Sequence, residues 1–170
     1  MTISMHSASL PVFVKMLGNL ALWLDKADSF AAAKKFDVSV LLNSRLAPDM
    51  LPLTRQIQIA CDAAKFGVAR LAAVEAPKMD DSEATLSELK SRIQRTLDFI
   101  ESIPAASVEN TEQRDVQVPA RGMDPLQFKG EDYLRFFVLP NFFFHVTTAY
   151  AIMRHNGVDL GKGDYLGGRA

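Results

Sequence analysis

The run from Phe136 to Gly157, FFVLPNFFFHVTTAYAIMRHNG, leaves this chain few ways to fold. It is too long for a strand and apolar on nearly every side, so it must be a helix covered by other elements. Arg135 precedes it and Pro140, Asn141 and His145 interrupt it, which makes it a poor membrane span and a better core helix. Such a helix needs partners that each offer an apolar stripe, and the rest of the chain supplies three.

The first spans Ser9 to Ser29, where Leu10, Phe13, Leu17, Leu20, Ala21 and Leu24 recur at helical spacing. Pro11 is tolerated in its first turn. The second starts near Pro52 and ends before Pro77, with a stripe of Leu53, Ile57, Ala60, Cys61, Ala64, Val68 and Leu71. Gly67 and the alanines make that face thin, so a neighbouring helix can come close. Arg55, Gln58, Asp62 and Lys65 fall on the opposite side. The third begins after Asp81 or Ser82, either of which can cap it, and stops at Pro104, with Leu86, Leu89, Ile93, Leu97 and Ile100 inward.

The fourth runs from about Glu131 to Asn156, with Gly157 as its C′ residue and a kink expected at Pro140. Ala31 to Met50 has no clean period and reads as an ordered connection. Ala105 to Gly130 is polar and irregular, but Val116-Gln117-Val118 and Leu126-Gln127-Phe128 alternate, which predicts a small β-hairpin with Gly122 near its turn. In the tail, Leu160, Tyr165 and Leu166 are candidates to dock. Residues 1–170 therefore read as a single all-α domain, a four-helix bundle.

Lys+Arg is 19 against Asp+Glu of 20, a formal net charge of -1. That balance argues against a nucleic-acid binder and offers no polybasic membrane anchor. The one cysteine, Cys61, cannot staple the fold internally, and MTISMHSASLPVF lacks the basic start and apolar core of a secretory leader. A cytoplasmic protein is the expectation.

One stripe of the fourth helix collects Leu134, Val138, Asn141, Phe142, His145, Ala149 and Ile152. Asn141 and His145 are polar groups one turn apart on an apolar face, and burying them costs free energy unless they are bonded or ligated. Cys61 sits mid-stripe on the second helix and could converge with them. Two readings stay open. One is a divalent-metal or polar-ligand site, with imidazole and thiolate suited to zinc or nickel. The other is a core histidine bonded to Asn141, to Thr148 or Tyr150, or to water. Cys61 alone is more often an inert core thiol than a nucleophile. His6 lies at a fraying end, where a ligand role stays open, and His155 and Arg154 sit at the helix C-terminus, where cations are favoured. In Phe142-Phe143-Phe144 the rings fan around the helix, so at least one meets a neighbour, a partner subunit or solvent.

With these residues in view, the chain resembles a domain-of-unknown-function family within the DinB/YfiT-like superfamily. The resemblance rests on Leu24-Asp25-Lys26-Ala27, on Leu46-Ala47-Pro48-Asp49-Met50 leading to Gln56-Ile57, and on Arg70-Leu71-Ala72 with Pro77. Above all it rests on Pro140-Asn141-Phe142-Phe143-Phe144-His145, Ala149-Tyr150 and Arg154-His155-Asn156-Gly157. It implies an up-down-down-up bundle, often a homodimer. It also implies a divalent metal held by three histidines, one from the second helix and an H-x-x-x-H pair on the fourth, in some members serving thiol-linked transferases or isomerases. Here the pair reads Asn141-x-x-x-His145 and the second helix carries no histidine, so only His145 carries over as a metal ligand. The leading expectation is a small-molecule site lined by Asn141, His145, Tyr150 and Cys61. The alternatives are a metal-dependent transferase or isomerase acting on a thiol or small molecule, and a non-enzymatic dimeric interaction module.

Overall fold

The structure, a computed structural model, describes residues 3–120 and 122–168. Four long helices form the bundle: α1 (Leu10–Lys34), α3 (Leu53–Ala72), α4 (Leu86–Ser102) and α6 (Gly130–His155). Between them lie α2 (Ser39–Asn43), α5 (Ala105–Val108) and an antiparallel hairpin of β1 (Asp115–Val118) and β2 (Leu126–Lys129); α7 (Lys162–Leu166) follows. Around the bundle the order is α1, α4, α3, α6, so α1 and α3 sit diagonally, as do α4 and α6. This is why the two connections predicted to be long are long: each must cross a diagonal.

The side-chain pairs give the directions. Gln56 meets His145 and Arg70 meets Tyr133, so α3 and α6 are antiparallel. Phe13 packs on Phe142 and Trp23 on Tyr150, so α1 and α6 are parallel. Gln58 reaches Glu83 just before α4, and Asp62 reaches Arg92 within it, so α4 runs alongside α3 in the same direction. The result is the expected up-down-down-up bundle.

Helix α1 runs to Lys34, past the expected Ser29, and closes on Lys35 in the left-handed region. α4 starts at Leu86, later than expected. Its cap is Thr85, whose hydroxyl accepts the Glu88 N–H while the Glu88 carboxylate accepts the Thr85 N–H. Asp81, one of the expected caps, is engaged by Arg55 and Arg92 instead.

Arg92 organises the α3–α4 side. Its side chain is fully buried, and its guanidinium lies 3.0 Å from carboxylate oxygens of Asp62, Asp81 and Glu83. Lys65, equally enclosed, is 2.8 Å from Asp62, and Gln58 donates to Glu83 at 2.8 Å. Gln58, Asp62 and Lys65 were expected on a solvated face. The α3–α4 connection folds back over them and turns that face into a buried ionic layer.

At Gly67 α6 packs close against α3: a β-carbon there would stand 2.6 Å from Val138 Cγ1. Pro140 produces no break. The six residues before Leu139, Tyr133–Val138, form a π turn, in which the Leu139 N–H bonds the Leu134 carbonyl five residues back. Val138 and Leu139 keep helical dihedrals, and Pro140 then begins the α-helical part, where a missing N–H is tolerated. Phe142 is fully buried, its ring edge-on to Phe13 at 4.9 Å, whereas Phe144 is 56% exposed. By length and composition α6 could cross a membrane, but 44% of its most apolar stretch is buried in the bundle.

The tail docks as expected through Leu160, which is buried, and Tyr165, which stacks on Trp23 at 5.5 Å. Leu166 instead stays exposed.

Candidate functional site

His145 is 8% exposed, and its Nδ1 lies 2.7 Å from Gln56 Oε1. Gln56 is itself buried on α3, and its Nε2 donates to the Leu51 carbonyl at 3.0 Å. A carbonyl can only accept, so that bond fixes which end of the amide is nitrogen. Oε1 must then face the ring, and Nδ1 must carry the proton. Neutral His145 therefore presents Nε2 as a bare lone pair. Burial holds the imidazole pKa below its ordinary value, which favours that neutral form. Nε2 has no hydrogen-bond partner among the described residues, and it is not among their fully enclosed orphan atoms, so it is not sealed from solvent.

The His145 neighbours Phe144 and Thr148, with Leu46, Phe143, Thr147 and Ala151, line an open, largely apolar groove of about 470 Å³, whose lining does not include His145 itself. The Phe144 ring stands edge-on to the imidazole at 5.1 Å. Thr148 bonds back to the Phe144 carbonyl at 2.7 Å, so its hydroxyl proton is already committed.

The other expected site residues have different surroundings. Asn141 lies at the rim of the inward face and lines a separate small cleft with Asp62, Arg70 and Tyr133. Cys61 is fully buried between α3 and α4, near Thr96 and Arg92, and burial pushes its thiol up to about 12. Tyr150 belongs to the tail contact: its ring is edge-on to Trp23 at 5.5 Å and to Tyr165 at 5.6 Å, and its hydroxyl donates to the Leu160 carbonyl at 3.4 Å. His6 sits in the turn before α1, where its carbonyl accepts the Ser9 N–H, and His155 is exposed at the end of α6. The partner of His145 that sequence reasoning missed is Gln56. The signal was present, since Gln56 is a polar residue between Leu53 and Ile57 on the inward stripe of α3.

A zinc or nickel ion does not fit these residues. Among the described residues no three His, Cys, Asp or Glu side chains are arranged to hold a metal ion. The side chain that α3 offers to His145 is Gln56, an amide whose oxygen already accepts from Nδ1. Cys61 faces α4 and holds its proton, whereas a metal ligand must be a thiolate. One imidazole among amides is too weak a donor set for either ion.

The fold and these residues find counterparts in known proteins. No curated protein matches the chain. A crystal structure of a DinB family member protein from Shewanella denitrificans superimposes with a TM-score of 0.88 at 46% identity, covering 96% of this chain and 92% of that one. Residues 5–166 match the family described as Domain of unknown function (DUF1993). With almost its whole length matched, the chain belongs to that family, a DinB-like group of four-helix-bundle proteins.

Proposed function

We propose that this protein binds a small molecule at His145, with the ligand's apolar part in the groove along Phe143, Phe144 and Leu46. The observation that carries the reading is the Gln56–His145 pair. An orienting hydrogen bond on Nδ1 leaves Nε2 as a directed acceptor, the arrangement by which a buried histidine receives a proton or a hydrogen bond from a ligand. Hydroxyl, thiol or amine N–H groups match that acceptor, and the apolar groove suits an uncharged body.

The test is a thermal-shift screen of small alcohols, thiols and amines on the native chain and on His145→Ala. Stabilising compounds that lose their effect in His145→Ala support the reading. Compounds that stabilise both proteins equally, or none that stabilise the native chain, would sink it.

A second reading uses the same surface. Phe144 is 56% and Leu46 41% exposed beside the groove, which suits a contact between two copies of the chain. Sedimentation across a concentration series, with Phe144→Ser as control, tests it: a monomer throughout removes the homodimer.

A further inference from the structure

The groove between Leu46 and α6 is not the only concave place on the bundle, and a second lies on the α3–α6 seam. Toward Tyr133 lies a cleft of about 120 Å³ lined by Asp62, Phe66, Arg70, Tyr133, Phe137 and Asn141, with aliphatic floor positions between them. It shares no lining residue with the His145 groove. Phe66, Tyr133 and Phe137 give it aromatic walls, and the Tyr133 and Phe137 rings stack on each other at 5.8 Å.

Its polar groups are incompletely used. The Arg70 guanidinium folds over the Phe66 ring at 5.1 Å and makes one side-chain hydrogen bond among the described residues, from Nη1 to Tyr133 Oη at 2.9 Å. The Tyr133 hydroxyl proton goes to the Phe66 carbonyl at 3.4 Å. Arg70 has no carboxylate partner among the described residues, and the Asn141 amide has no hydrogen-bond partner among them. Asp62 is the one acidic wall, and its charge is offset by Lys65 at 2.8 Å and Arg92 at 3.0 Å. The wall on α6 is the π turn, an irregularity that recurs at functional positions in helices. Gly67 is what lets that turn press against α3.

We propose that this cleft is a second ligand site, for a small flat carboxylate of about one ring. Arg70 and Asn141 supply donors to the carboxylate, and Phe66 and Phe137 hold the ring. A planar guanidinium with unused N–H groups beside an aromatic face matches a carboxylate in both charge and shape. A volume of about 120 Å³ matches one ring.

Calorimetric titration with sodium benzoate tests the assignment, with benzyl alcohol as the uncharged counterpart and acetate as the ringless one. Benzoate is expected to bind, with benzyl alcohol and acetate each weaker. Arg70→Met and Asn141→Leu are each expected to weaken benzoate by about tenfold, the effect of losing one hydrogen bond to a charged group. Asn141 is half-exposed, so its variant remains informative if Arg70→Met fails to fold. His145→Ala is expected to leave benzoate affinity unchanged. The assignment is overturned if benzoate does not bind, if both cleft variants bind it as well as the native chain, or if His145→Ala alone abolishes binding. That last outcome would move the carboxylate to the other groove.

Discussion

Gln56 fixes His145 in one tautomer. Its amide nitrogen is spent on the Leu51 carbonyl at 3.0 Å, so its oxygen, 2.7 Å from Nδ1, can only accept. The same pair ties the start of α3 to the middle of α6. Long-range proton–nitrogen NMR should find His145 protonated at Nδ1 in neutral solution. A proton on Nε2 would contradict the assignment.

Stability should fall as pH is lowered through the histidine range. The folded pKa of His145 lies below the ordinary 6.5 because burial disfavours the charged ring. Above 6.5 both folded and unfolded chains are neutral there, and the contribution is complete. As pH falls below that value the unfolded chain takes up the proton first, so the contribution shrinks and is gone below the folded pKa. Urea midpoints measured from pH 7.5 to 5 should decline, and His145→Phe should flatten the decline. An identical slope in the variant would remove His145 as its source.

Gly67→Ala should destabilise the bundle by about 1–3 kcal/mol, the usual cost of overpacking. The added methyl would stand 2.6 Å from Val138 Cγ1. Val138→Ala in the same chain should recover part of the loss, giving a coupling between the two sites in a double-mutant cycle. Strict additivity would mean that the helices separate freely at this point.

Arg92→Met should cost about 3 kcal/mol, the scale seen when one member of a buried ionic group is removed. Asp62, Asp81 and Glu83 would then lose their common cation. Because two of these acids belong to the α3–α4 connection, limited proteolysis should cut that connection faster in the variant. Native-like midpoints and cleavage rates would show that the layer contributes little.

Cys61 should be silent toward thiol reagents in the native protein at pH 8. Its thiol is fully enclosed and titrates only near 12. Absorbance after adding a disulfide reagent should rise only once guanidinium unfolds the chain. Rapid native labelling would show that α3 and α4 part readily.

The bundle was readable because the stripes on α1, α3, α4 and α6 are regular, and because Gly67 announced a close helix approach. The hairpin was readable from period-two alternation in Val116-Gln117-Val118 and Leu126-Gln127-Phe128. What one helix cannot reveal is what crosses in front of it. Gln58 looks solvated on a helical wheel and is buried because the α3–α4 connection folds back to place Glu83 on it, and Lys65 is enclosed beside it in the same ionic layer. The candidate site failed to converge for a related reason. Cys61 and Gln56 both lie on the inward side of α3, but a helix with two neighbours has two inward faces: Cys61 turns to α4 and Gln56 to α6. Asn141 and His145, a turn apart, sit at the rim and nearer the centre of one stripe, and periodicity does not separate those positions.

The π turn at Tyr133–Val138 has a consequence for how this chain tolerates change. A turn of that kind holds one residue more than the α turn it replaces. A π step therefore covers about the same rotation as an α step with one residue fewer, and deleting a single residue there would restore a regular helix with the two halves of α6 still in phase. The same deletion between Leu139 and His145, where the helix is regular, would turn His145 about 100° away from Gln56. The π turn is thus a place where α6 can lose a residue and keep the His145–Gln56 pair.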